Sequence, residues 1–140
     1  YKYSPFVSLT NEQEDIMCNI INNLLDCLEG KKEKDVSIIT GLAGTGKTIL
    51  AINLIYNIVN ADFSNIDIYQ DDEEIEILSE KEKTIHRLRK YVLENGKIKI
   101  GFVVPMTSLR GTLKSVFTGI NKKVLKNKTI CTSQHLVDTF

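Results

Sequence analysis

The sequence predicts an α/β fold in which a mostly parallel sheet is flanked by helices. Three observations carry that expectation. Apolar, β-branched runs alternate along the chain with segments of helical periodicity, the order that builds a parallel sheet. The first of these runs passes through a glycine-rich loop straight into an apolar helix. The 140 residues, with Lys plus Arg at 18 and Asp plus Glu at 18, make a neutral chain long enough for one domain with a real core.

Residues 10–29 place Ile16, Ile20, Ile21, Leu24, Leu25 and Leu28 on one face, which predicts an amphipathic helix. Thr10 suits its N-cap and Gly30 its C-terminal stop. Lys31-Lys32-Glu33-Lys34-Asp35 then reads as a solvated turn. Val36-Ser37-Ile38-Ile39-Thr40 reads as a buried parallel strand. Residues 49–59, apolar almost all round, read as a buried helix ending near Asn60.

Residues 61–96 break the rhythm. Asp71-Asp72-Glu73-Glu74-Ile75-Glu76 is acidic, and a short exposed helix follows from Ser79, with Ile85, Leu88, Val92 and Leu93 as its apolar side. Asn95-Gly96 turns the chain. So long a segment between helix and strand predicts an acidic insertion with partial order, its charges solvated. Residues 97–104 alternate and then run apolar, as a second strand would, and Pro105 ends it. Residues 107–120 predict a helix with Leu109, Leu113, Val116 and Phe117 facing inward. Residues 128–132 form a short third strand, and Ser133 starts a further helix.

Several classes are excluded. No apolar run reaches transmembrane length, and Tyr1-Lys2-Tyr3-Ser4-Pro5 is not a signal sequence. The missing initiator Met predicts an excised piece of a longer, cytoplasmic protein. Cys18, Cys27 and Cys131 show no metal spacing, and Cys18 and Cys27 sit too far apart on one helix to bridge, so reduced thiols are expected. His86 and His135 lack a ligand pattern, which argues against zinc. The zero net charge neither selects nor excludes nucleic acid, because a basic face can sit on a neutral whole.

Gly41-Leu42-Ala43-Gly44-Thr45-Gly46-Lys47-Thr48 fits G-x-x-x-x-G-K-[ST], the phosphate-binding P-loop, between a predicted strand and a predicted helix. Glycines let the backbone curl so that N–H groups converge on an anion. The following helix contributes the positive end of its dipole. Lys47 is expected to reach the β- and γ-phosphates of ATP as a point charge, and the Thr48 hydroxyl to ligate Mg²⁺. The alternative is a glycine-rich turn that happens to carry a lysine, but two glycines flanking Thr45 at a helix start would weaken that helix without a ligand to serve.

Leu9-Thr10-Asn11-Glu12-Gln13 resembles the Q motif of superfamily 1 helicases, in which a glutamine amide reads adenine with one donated and one accepted bond. Thr10 and Gln13 also fit a capping box, and both readings stand. Phe102-Val103-Val104-Pro105-Met106-Thr107-Ser108-Leu109-Arg110 resembles motif Ia of the same superfamily. There Pro105, Thr107 and Ser108 would hold a phosphate of single-stranded DNA or RNA at a helix start; otherwise they make an ordinary strand-to-helix turn. Ile130-Cys131-Thr132-Ser133-Gln134-His135 resembles the next strand-end motif loosely, with His135 out of register.

Together these segments resemble the N-terminal part of a RecA-like motor domain, and their wording resembles the Schlafen-related helicase-like ATPase family. The resemblance implies one truncated RecA-like ATP-binding domain over residues 1–140, interrupted by the insertion at 61–96. It implies a nucleic-acid-dependent ATPase in which Lys47 and Thr48 serve catalysis. The Walker B carboxylates, the arginine that stabilises the transition state and the second motor domain are expected outside the chain. On that basis the chain alone binds nucleotide at best moderately and turns over little. Sheet neighbours for residues 36–40 would also come from later in such a fold, which leaves self-association or a rearranged sheet open. Two other readings are a P-loop regulatory NTPase that engages a protein partner through residues 61–96, and a small-molecule kinase, which would leave Gln13 and the Pro105 turn without a task.

Overall fold

The computed structural model describes residues 8–59, 61, 76, 78–103, 111 and 130–131. They fall into two units that divide after Ile98. The first unit is helical, with α1 at Asn11–Leu28, α2 at Lys47–Val59 and α3 at Glu80–Asn95. The second contains β1 at Phe102–Val103 and β2 at Ile130–Cys131.

Each helix start has a local cause. Thr10 caps α1, its side chain accepting from the Gln13 N–H at 3.2 Å while Gln13 Oε1 accepts from the Thr10 N–H at 3.0 Å. This reciprocal pair satisfies two donors that a helix start otherwise leaves open. Ser79 and Glu82 repeat the arrangement on α3. The Ser79 backbone N–H, with its hydroxyl, holds the Glu82 carboxyl below the usual carboxylate range. Gly30 follows α1 as expected, and Gly96 closes α3.

Helix α1 packs against both α3 and α2. Its buried residues, Met17, Cys18, Ile21 and Leu25, follow helical spacing and form one stripe. Thr84, Leu88 and Val92 of α3 do the same. On α2, Leu50, Ile52, Asn53, Ile55 and Ile58 are buried, a spread wider than one stripe that fits its near-uniform apolarity. Between α1 and α3 the polar contacts are specific. Asn22 donates to the Thr84 hydroxyl at 3.2 Å, and that hydroxyl also hydrogen-bonds Cys18. Burial pushes the Cys18 thiol up, with the Thr84 bond opposing in part. Arg87 reaches Asp26 at 2.7 Å, Glu29 at 3.1 Å and the Asn22 side chain at 3.1 Å, a planar fork filled by three acceptors near the end of α1.

The structure corrects the fold class. Among the described residues the structure has helices of 18, 13 and 16 residues and one parallel pair of two residues on each side, Phe102 with Ile130 and Val103 with Cys131. That conflicts with a RecA-like α/β fold built on a mostly parallel sheet. The expected second and third strands do pair in parallel, over this shorter length. The expected strand at residues 36–40 has no strand assignment, and Val36 and Ile38 are 79% and 81% exposed. A buried parallel strand needs neighbours on both edges and cover on both faces. Among the described residues of its own unit no strand lies beside it.

The second half of the segment expected as an insertion is α3, whose Leu88 and Val92 belong to the core beneath α1. Leu93 points out instead, at 56% exposed. The acidic run at 71–75 lies outside the described residues. So does the predicted helix at 107–120 apart from Gly111, which is helical. Among the described residues no helix is long and apolar enough to cross a membrane.

Two outcomes follow for stability. Leu88→Ala removes a fully buried side chain between α3 and α1 and is expected to cost about 2–5 kcal/mol in urea unfolding. The Arg87 hydrogen bond first, with its charge, holds the carboxyls of Asp26 and Glu29 below their ordinary values. A carboxylate depressed in the folded chain stabilises it above the unfolded value, and that contribution is lost as pH falls. Unfolding midpoints are therefore expected to fall as pH drops through the carboxylate range, near about 4 and below, and Arg87→Met is expected to flatten that acid limb.

Candidate functional site

The glycine loop lies between residues 36–40 and α2, and its shape follows from two backbone angles. Gly44 has φ +80 and Gly46 has φ +89, a left-handed region that side chains with a Cβ rarely enter. The two reversals curl residues 41–46 into a closed loop that delivers Lys47 to the first turn of α2. Thr45 pins the curl from within: its hydroxyl donates to the Leu42 carbonyl at 2.7 Å and its N–H donates to the same oxygen at 3.3 Å. The Thr45 amide therefore closes a turn. The first bond back along α2 runs from the Leu50 N–H to the Gly46 carbonyl, so the N–H groups of Gly46, Lys47, Thr48 and Ile49 have no acceptor one turn back inside the helix.

The Lys47 ammonium donates to the carbonyl oxygens of Gly41 at 2.5 Å and Leu42 at 2.8 Å. It sits across the loop, with its charge beside the positive end of α2. Gly41 is confined as well, since a Cβ there would lie 2.7 Å from the Thr45 hydroxyl. Leu42 is exposed and Thr48 half-buried. The Lys47 ammonium, held by two carbonyl oxygens, and the N–H groups at the start of α2 put positive charge at one end of the loop. A phosphate tail fits there, because charged oxygens are stronger acceptors for lysine than neutral carbonyls.

Gln13 joins the site from α1. Its Nε2 donates to the Thr45 carbonyl at 3.2 Å, while its Oε1 serves the cap of α1. Sequence reasoning set the capping box against a role at the nucleotide. The capping box is present, and the other end of the amide touches the loop. The fit at Gly46 is close, since a Cβ there would lie 2.6 Å from Gln13 Nε2. The link between Gln13 and the loop was not legible, because it spans residues far apart in the chain.

The structure thus brings Gly41, Leu42, Ala43, Gly44, Thr45, Gly46, Lys47, Thr48 and Gln13 into one neighbourhood. Pro105, Thr107, Ser108 and His135 lie outside the described residues. Among the described residues no group of three or more His, Cys, Asp or Glu gathers to hold a metal. A Mg²⁺ ion at the loop would therefore rely on nucleotide phosphates and waters, with Thr48 as a protein ligand, the usual manner of Mg²⁺ at nucleotide sites. No protein-family model, curated protein or solved structure matches the chain.

The two left-handed glycines are separable by substitution. Gly44→Ala meets open space and only the backbone strain, whereas Gly46→Ala adds a collision with Gln13. Gly44→Ala is expected to cost about 1–2 kcal/mol, and Gly46→Ala to cost more, with both measured by urea unfolding of the two variants side by side.

Proposed function

We propose that residues 41–48 bind the triphosphate of ATP together with Mg²⁺, and that the chain is the ATP-binding part of a nucleic-acid-dependent, helicase-like ATPase. The observation that carries the first statement is the left-handed pair Gly44 and Gly46 leading into α2, with the Lys47 ammonium held across the loop. Fixing two glycines in such a backbone costs conformational entropy, and phosphate recognition is the task it suits. Lys47 would exchange its carbonyl partners for β- and γ-phosphate oxygens. The Thr48 hydroxyl would meet Mg²⁺, which supplies Lewis acidity and shields phosphate charge.

The nucleic-acid part of the reading rests on sequence. Pro105, Thr107 and Ser108 follow a short strand in the pattern of motif Ia, where helix-start hydroxyls and N–H groups suit a phosphate of single-stranded DNA or RNA. ATP turnover would also need carboxylates that hold Mg²⁺ and position the attacking water.

The test is equilibrium binding of a fluorescent ATP analogue with Mg²⁺ to the chain and to Lys47→Ala. The variant is expected to bind about 10- to 100-fold more weakly, the loss of one charge-assisted contact. Equal binding by both would remove the phosphate assignment. Single-stranded oligonucleotides are expected to stimulate ATP turnover in a chain that carries the catalytic carboxylates. A partner-regulated NTPase would instead show no response to nucleic acid.

A further inference from the structure

Gln13 reaches the loop from α1 by a side-chain hydrogen bond, and both ends of its amide are engaged. Oε1 accepts from the Thr10 N–H at 3.0 Å, and Nε2 donates to the Thr45 carbonyl at 3.2 Å. Reading adenine with a glutamine takes one acceptor and one donor from the same amide. Swinging Gln13 toward a base would open the cap of α1 and release Thr45 at once.

We propose that Gln13 is a positioning residue that clasps the phosphate loop, leaving the site to read the triphosphate and not the base. The inference rests on the triphosphate reading of residues 41–48 given above. Three further observations support it. At Gly46 a Cβ would lie 2.6 Å from Gln13 Nε2, so a side chain there would push the amide out of its present place beside the loop. The Thr45 peptide is gripped from two sides, by Gln13 on its carbonyl and by the Leu42 oxygen on its N–H and hydroxyl. The clasp also stands on a firm support, because α1 is packed against α3 and tied to it by Lys81 to Glu14 at 2.8 Å and by Arg87. The chemical class that such a site takes is any nucleoside triphosphate with Mg²⁺, and inorganic tripolyphosphate as its minimal form.

The capping box itself provides the clean substitution. Glutamate serves a capping box as well as glutamine does, so Gln13→Glu keeps the cap of α1 and removes the donor to Thr45. Gln13→Met, uncharged and of similar length, separates loss of the clasp from repulsion between a carboxylate and phosphate. The experiment measures amide hydrogen exchange of residues 42–46 in the nucleotide-free chain, and binding of Mg·ATP, Mg·GTP and Mg·tripolyphosphate, for both variants and the parent. The parent is expected to bind ATP and GTP within about threefold. Both variants are expected to speed loop exchange and to weaken all three ligands alike, by roughly 5- to 10-fold for one neutral hydrogen bond, with circular dichroism unchanged for Gln13→Glu. A preference for ATP over GTP that disappears in both variants would overturn the proposal, as would unchanged loop exchange. If none of the three ligands binds the parent chain, the triphosphate reading falls, while the exchange data still report separately whether Gln13 holds the loop.

Discussion

Helix α1 has to bury one stripe of side chains, and the remainder of the helical unit is arranged around that need. Met17, Cys18, Ile21 and Leu25 form a surface too narrow to be a core alone. Helices α2 and α3 both pack against it, α3 with a stripe of its own and α2 with a broader apolar surface. Apolar burial of this kind is the main favourable contribution to packing helices together. It has no direction of its own, so the polar contacts at the two ends of α1 set its register. At one end stand Thr10 and Gln13, and at the other Arg87 on Asp26 and Glu29. The phosphate loop takes its place from the same helix, since the residue that completes the N-terminal cap is also the residue that holds Thr45.

Periodicity made the helices legible. Ile21 and Leu25, the apolar run after Lys47, and Leu88 with Val92 bury the faces that the pattern indicated. The buried stripe of α1 also takes in Met17 and Cys18, which the pattern had not placed on it, whereas Leu28 and Leu93 are exposed. A residue one position beyond a stripe turns out toward solvent. The start of α3 was written plainly in Ser79-x-x-Glu82, the same signature as Thr10-x-x-Gln13. The glycine loop was legible for a different reason: a left-handed backbone is a demand that only certain residues meet cheaply, so Gly44 and Gly46 announce it.

Strands are harder to read because a strand is a property of a pair. Val36-Ser37-Ile38-Ile39-Thr40 has the residue types of a buried strand, yet side-chain preference there reflects packing against neighbours and not an intrinsic backbone choice. Without those neighbours the segment stays unpaired among the described residues, with Val36 and Ile38 facing outward. Arg87 was hidden in the opposite way. In the sequence it sits in a run of charges that suggests a solvated face, and only the helix crossing shows that three acceptors converge on it. Burial works against its charge, and the bonds to Asp26 and Glu29 outweigh burial, so its pKa is raised.

Cys18 gives the helical unit an internal clock. Its sulfur is buried beside Thr84 at the seam of α1 and α3, and it resists ionisation there. Alkylating reagents attack the thiolate, so this sulfur becomes reactive when the two helices part and the thiol meets water. Cys27 lies on the same helix, unpaired with Cys18 and only half-buried, and supplies an internal reference. The ratio of the two modification rates therefore gauges how often the seam breathes, and how far a ligand seated on the loop beside Gln13 quiets it.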